Sequence, residues 1–127
     1  MRRTILALLA APVVAACLPA LARETAKGPN GGPVVDSAGH HIEMTSRGTE
    51  LVLYLTEEAD KPLASAGTKN ARAIVQDGGR TATVSLSPSE PNKLVGTLPG
   101  PLGNGARVVV SATMADGHAI QARFVKN

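Results

Sequence analysis

The chain has 127 residues, 13 of them basic and 10 acidic, and only one tyrosine, one phenylalanine and no tryptophan. This length suits about one domain. No basic run interleaved with aromatic residues is present, and P-loop, dinucleotide-binding, G-x-S-x-G and H-E-x-x-H motifs are absent, so we expect neither a nucleic-acid partner nor enzymatic activity.

The N-terminal segment has the three parts of an export signal. Arg2 and Arg3 form the positive end, residues 4–18 are apolar, and residues 20–22 (Ala-Leu-Ala) form a small-residue cleavage site. The segment is too short for a membrane span, so it predicts a signal peptide over residues 1–22 and a periplasmic protein without a membrane span. Removing 22 of the 127 residues leaves 105, and losing two of the 13 basic residues leaves 11 against 10 acidic ones.

The only cysteine, Cys17, lies inside this leader, so no disulfide is expected in the mature domain. Residues 14–17 (Val-Ala-Ala-Cys) are also typical of a lipobox, which would make Cys17 the lipidated first residue of an anchored lipoprotein. Residues 18–22 form a poor polar tether and a good peptidase site. We therefore favour the soluble periplasmic form and keep a lipid anchor at Cys17 as the alternative.

The rest of the chain reads as a short arm followed by one domain. Residues 23–32 predict a flexible arm or, from Asn30-Gly31-Gly32, a turn. In residues 33–127, short apolar runs alternate with Gly- and Pro-rich turns, including a turn over residues 87–92. The predicted strands cover residues 33–36, 40–45, 50–56, 71–76, 81–86, 93–98, 107–114 and 118–125.

This spacing predicts an all-β fold, an antiparallel immunoglobulin-like β-sandwich of about seven to eight short strands. A helix over residues 62–73 is the competing prediction, which Gly67 weakens. Apolar residues at both odd and even positions of residues 51–55 indicate a central strand covered on both faces. Tyr54 and Phe124 are the only aromatic residues, so the core must be aliphatic.

The last two strands allow two hairpin registers. A two-residue loop, Asp116-Gly117, would place Val110 opposite Arg123. A three-residue loop over residues 115–117 instead pairs Val108 with Phe124, gives one apolar face, and puts Gly117 at a left-handed position. We predict the second register, in which Met114 and His118 are neighbours at the rim of the core.

Three histidines remain after the leader: His40, His41 and His118. His41 and Glu43 share one strand face, with Cα atoms about 6.6 Å apart, whereas His40 lies on the other face. Imidazoles, a carboxylate and the thioether of Met114 would suit a copper or zinc ion. On the residues alone we favour a structural alternative: His41 and Glu43 form a solvated face, His40 is a core-rim residue, and Met114 fills the core.

Two segments resemble a known group of proteins. These are residues 28–35 (Gly-Pro-Asn-Gly-Gly-Pro-Val-Val) and residues 39–43 (Gly-His-His-Ile-Glu). They resemble small secreted bacterial proteins and the N-terminal module of periplasmic adaptor (membrane fusion) proteins in heavy-metal efflux pumps. The resemblance continues through residues 50–55, 60–62, 77–79 and 92–96.

The resemblance implies an all-β periplasmic module that binds metal through His40, His41 and Glu43. Some relatives carry histidine where this chain has Asn30, which is a weaker ligand. His118 and Met114 join this candidate ligand set through the hairpin register rather than through the resemblance.

The expected function is therefore weak binding of copper or zinc, with no obligatory cofactor, linked to metal homeostasis or efflux and with an efflux adaptor as the partner. The alternative is a metal-free module that docks on an envelope or adaptor partner through exposed strand edges.

Overall fold

The computed structural model describes residues 26–57 and 61–127. The signal peptide, the lipidation alternative at Cys17 and the first residues of the arm lie outside the described residues. The described residues form nine strands: β1 Val34–Ser37, β2 His40–Arg47, β3 Glu50–Glu57, β4 Lys69–Asp77, β5 Arg80–Ser85, β6 Ser87–Ser89, β7 Lys93–Thr97, β8 Arg107–Thr113 and β9 Ala119–Val125.

The strands form two antiparallel sheets, with the orders β1-β2-β3-β7-β6 and β5-β4-β8-β9. The predicted all-β antiparallel sandwich is confirmed. The competing helix over residues 62–73 is wrong, since β4 begins at Lys69 and no helix is found in the described part of the chain. Consistent with this, none of the described segments has the helical length and hydropathy needed to cross a bilayer.

One strand was not expected. β6 pairs with β7 at the edge of the larger sheet, where the sequence predicts a turn over residues 87–92. This strand has three residues, one of which is Pro88. Proline lacks a backbone N–H and therefore fits an edge strand, but its presence gives the segment the composition of a turn.

The core lies between the two sheets and is aliphatic apart from one ring. β3 is the middle strand of its sheet, as predicted, with Leu51, Leu53 and Leu55 fully buried on the inward face and Val52 only 8% exposed on the other. The second sheet contributes alternate residues of its strands, including Val108, Val110, Ala122 and Phe124. Period-two alternation thus accounts for the core.

The last hairpin has the predicted three-residue loop. Val108 pairs with Phe124, and the Met114 N–H donates to the His118 carbonyl at 2.8 Å. Gly117 has a φ of +96°, which an L side chain rarely adopts. This register fixes the position of His118 at the start of β9.

The two sheets meet along one edge of the sandwich. β1 lies beside β9, and the Gln121 N–H donates to the Ser37 hydroxyl oxygen at 3.1 Å. Ser37 is in turn the register partner of His40 across β1 and β2. The edge therefore brings the start of β2 next to the start of β9.

Candidate metal centre

His40 and His118, which are 78 positions apart in the chain, meet at this edge. Their Nε2 atoms are 3.2 Å apart. The ring centroids are 5.1 Å apart, and the ring planes are inclined at 34°. Because the nitrogens are closer together than the centroids, the two imidazoles point their Nε2 edges at each other.

Asp116 orients the His118 ring. Its Oδ1 accepts a hydrogen bond from the His118 backbone N–H at 3.1 Å and lies 2.5 Å from the ring Nδ1. The backbone hydrogen bond first, and the ring hydrogen bond second, lower the pKa of Asp116 below its ordinary value of 3.8. A charged carboxylate at this position keeps the proton of neutral His118 on Nδ1, so its Nε2 lone pair faces His40.

The His40 ring completes this hydrogen-bonded chain. Since the His118 Nε2 is an acceptor in the neutral ring, the His40 Nε2 carries the proton that lies between them. The other nitrogen of His40, Nδ1, is buried and has no hydrogen-bond partner among the described residues. In the metal-free pair this nitrogen holds a lone pair.

The separation of the two Nε2 atoms suits one shared ion. With metal–nitrogen bonds of about 2.0–2.1 Å, nitrogens 3.2 Å apart subtend roughly 100–106° at the metal, near the tetrahedral angle. A linear two-coordinate ion would need nitrogens about 4 Å apart. The pair therefore fits Zn(II), or Cu(II) in a tetragonal site, better than linear Cu(I).

The described residues add no third ligand of the usual metal-binding types to the histidine pair. Within residues 26–57 and 61–127, no group of three or more His, Cys, Asp or Glu side chains is arranged to hold a metal. The exposed Glu57 is the register partner of His40 across β2 and β3. An ion held by the two histidines would keep water at its other positions.

The structure does not bring His41 to this pair. His41 lies on the outer face of the same strand, and its Nδ1 contacts the Asp36 carboxylate. The two residues are directly opposed in the β1–β2 register. His41 thus has an orienting carboxylate of its own but no second histidine.

Glu43 is held by the loop that precedes β1. It is 4% exposed, and its carboxylate accepts hydrogen bonds from the Asn30 and Gly32 backbone N–H groups at 2.9 and 2.8 Å and from the Asn30 Nδ2 at 3.0 Å. A Cβ on Gly28 would overlap this carboxylate. The Gly-Pro-Asn-Gly-Gly segment therefore folds around Glu43, and both oxygens of Glu43 are occupied.

Met114 lies in the buried core cluster and is 4% exposed. Its backbone is the neighbour of His118, as the hairpin register predicts. Ligation by Met114, His41 or Glu43 stays a prediction, whereas the two imidazoles that the structure brings together are those of His40 and His118.

The sequence reasoning missed the two aspartates that hold the histidine rings. Asp116 lies two residues before His118, which is a common spacing for a side chain that accepts from a nearby backbone N–H. Asp36 and His41 flank the Ala38-Gly39 turn, so a hairpin there places them opposite each other. Both signals were visible in the sequence.

No family model, curated protein or solved structure matches this chain. The resemblance to the efflux adaptor module therefore stays a prediction that depends on residues 28–35 and 39–43.

Proposed function

We propose that this protein reversibly binds a divalent transition-metal ion, Zn(II) or Cu(II), between the Nε2 atoms of His40 and His118. The observation that carries the proposal is the 3.2 Å separation of these two nitrogens. The Asp116 carboxylate on the far nitrogen of His118 supports it, because carboxylate–histidine–metal arrangements orient the ring and raise its basicity.

Binding through this pair should be weak and exchangeable. To release the His40 Nε2 lone pair to a metal, the proton must move to Nδ1, which is buried without an acceptor among the described residues. Within the described part of the chain, metal binding therefore exchanges a buried acceptor without a partner for a buried donor without one and does not satisfy this nitrogen. Two protein ligands, fewer than a closed structural zinc site has, favour a carrier or buffer over a permanent structural site.

The proposed setting follows from the leader. A protein exported by residues 1–22 would meet metal in the periplasm, where it could buffer the ion or pass it to an efflux adaptor. Exchangeable ligation by neutral imidazoles suits such a transfer, since protons compete with the metal for the same nitrogens.

Calorimetric titration with Zn(II), Cu(II) and Cu(I) tests the proposal. We expect heat with Zn(II) or Cu(II) in the wild type and its loss in His40→Ala and His118→Ala. His41→Ala is the matched control, because its ring also touches an aspartate but faces no second histidine. Far-ultraviolet circular dichroism should show that each variant keeps its strands.

Three results would contradict this site. Unchanged heat in a His40→Ala/His118→Ala double variant would exclude the pair. Loss of heat in His41→Ala alone would move the site to His41 and Glu43. No heat with any of the three ions in the wild type would leave the metal-free docking module as the remaining hypothesis.

A further inference from the structure

The outer face of the second sheet carries positive charge without acidic residues. We call it the basic face and define it by outward-facing residues of β4, β8 and β9: Arg72, Ile74, Arg107, Val109, Arg123 and Val125. Their neighbours along each strand, such as Ala73, Val108 and Phe124, are buried in the core, so these six point away from it.

The four strands of this sheet contain a single acidic residue, Asp77. Asp77 lies in the inward-facing phase of β4, and its Oδ2 accepts from the Gly103 N–H at 2.9 Å. The ion pairs found in the described residues join histidines to aspartates and involve none of the three arginines. The charge of the basic face is thus available to another molecule.

The same face carries the exposed large apolar side chains of the described residues. These are Ile74, which is 37% exposed, and Val125, which is 52% exposed. In the strand register Ile74, Val109 and Arg123 lie side by side, and Arg107 lies beside Val125. Arginines next to an apolar centre are the composition of protein-binding surfaces, where arginine is enriched over lysine.

The charge of the face selects its partner. A two-fold dimer formed through this face would bring arginines of one copy against those of the other, which like-charge repulsion opposes. A bilayer fits poorly as well, because the apolar side chains lie on the flat of a sheet and include no aromatic residue to enter the interface.

We propose that the basic face docks an acidic protein surface, in which glutamates or aspartates surround an apolar patch. The partner would contact the outer face of the second sheet and not a strand edge. It shares no residue with the histidine pair, so it holds whether or not the protein binds metal.

The test is a nuclear magnetic resonance titration of the 15N-labelled protein with the capped octapeptide Glu-Glu-Val-Val-Glu-Glu-Val-Val, which presents both residue types on each face when extended. We expect amide shifts centred on Ile74, Val109 and Arg123. The dissociation constant should rise about tenfold between 50 and 500 mM NaCl because salt screens exposed charges. The octapeptide with lysine in place of each glutamate should cause no shifts.

Charge-reversal variants locate the site. Arg72→Glu/Arg123→Glu should raise the dissociation constant at least about tenfold. The matched control, Arg47→Glu, changes an exposed arginine on the first sheet and should leave affinity unchanged. Ile74→Ser should weaken binding less than the double variant, which separates docking from simple attraction of a polyanion.

Several outcomes would overturn the proposal. These are an absence of shifts at millimolar peptide, shifts distributed equally over both sheets, and equal weakening by Arg47→Glu and by the double variant. Binding to phosphatidylglycerol vesicles in a flotation assay, with no response to the peptide, would assign the face to a membrane surface and also contradict a protein partner.

Discussion

At the scale of single residues, two aspartates define what the two oriented histidines can do. Asp116 and Asp36 each lie against a histidine Nδ1, but only His118 has a second imidazole in front of its Nε2. The same local chemistry therefore gives a candidate metal site in one place and a solitary side chain in the other. This contrast provides an internal control.

Replacing Asp116 with asparagine should weaken metal binding about 10- to 100-fold, the effect typical of losing a carboxylate that orients a ligating histidine. The measurement is competition against a chromophoric chelator. Asp36→Asn is the matched control and should leave the metal affinity unchanged. Equal losses in both variants would contradict the assignment of His118 as a ligand and His41 as a bystander.

The lowered pKa of Asp116 also predicts a pH dependence of stability. Because the folded value lies below 3.8, the carboxylate's hydrogen bonds stabilise the fold above that pH, and the contribution is lost as pH falls through the folded value. The difference in unfolding free energy between wild type and Asp116→Asn should thus persist at pH 5 and shrink below about pH 4. Urea titrations at several pH values measure it. A difference that vanishes by pH 6 would be inconsistent with a charged Asp116 throughout that range.

Glu43 has a structural role, because its carboxylate holds the loop that precedes β1. Glu43→Gln would leave one acceptor oxygen where two now receive hydrogen bonds, and would turn an amide N–H₂ either toward the Asn30 Nδ2 or toward the Asn30 and Gly32 backbone N–H groups. We expect a loss of about 1.5–3 kcal/mol of unfolding free energy with unchanged metal affinity. Urea denaturation and calorimetry measure the two effects. Glu50→Gln, at an exposed position of β3, is the control. Lost metal affinity at unchanged stability would instead support Glu43 as a ligand.

At the scale of elements, the last hairpin controls where His118 lies. Gly117→Ala should cost about 1 kcal/mol or more, because alanine is strained at a φ of +96°. Gly100→Ala is the control, since its φ is not positive and an added Cβ meets nothing within 4 Å. Urea midpoints compare the two. A Gly117→Ala variant as stable as Gly100→Ala would be incompatible with this loop.

This hairpin could be predicted from sequence because two local signals agree: a glycine at a tight turn, and a register that gives one apolar face. β6 could not be predicted, because the segment around Pro88 has the composition of a turn. Only its pairing with β7 makes it a strand. The contact between His40 and His118 could not be predicted from the sequence either, since it depends on β1 lying beside β9. The hydrogen bonds of Glu43 could not be predicted either, because its partners lie 11 to 13 positions away in an irregular loop.

At the scale of the whole molecule, the sandwich depends on an aliphatic core with one phenylalanine. Phe124 is 2% exposed. Phe124→Ala should destabilise the protein by about 3–5 kcal/mol, combining lost burial with a cavity. Its neighbour Val125 is 52% exposed, so Val125→Ala should cost less than about 1 kcal/mol. Chemical denaturation distinguishes them, and similar costs would contradict the inward orientation of the ring.

The edge at which β1 lies beside β9 brings the histidine pair to the boundary between the two sheets. His40 belongs to the first sheet and His118 to the β8–β9 hairpin of the second, so an ion bound between them, as proposed, would link the two sheets. Such an ion would oppose separation of the two sheets at this edge, and separation of the sheets there would release the ion.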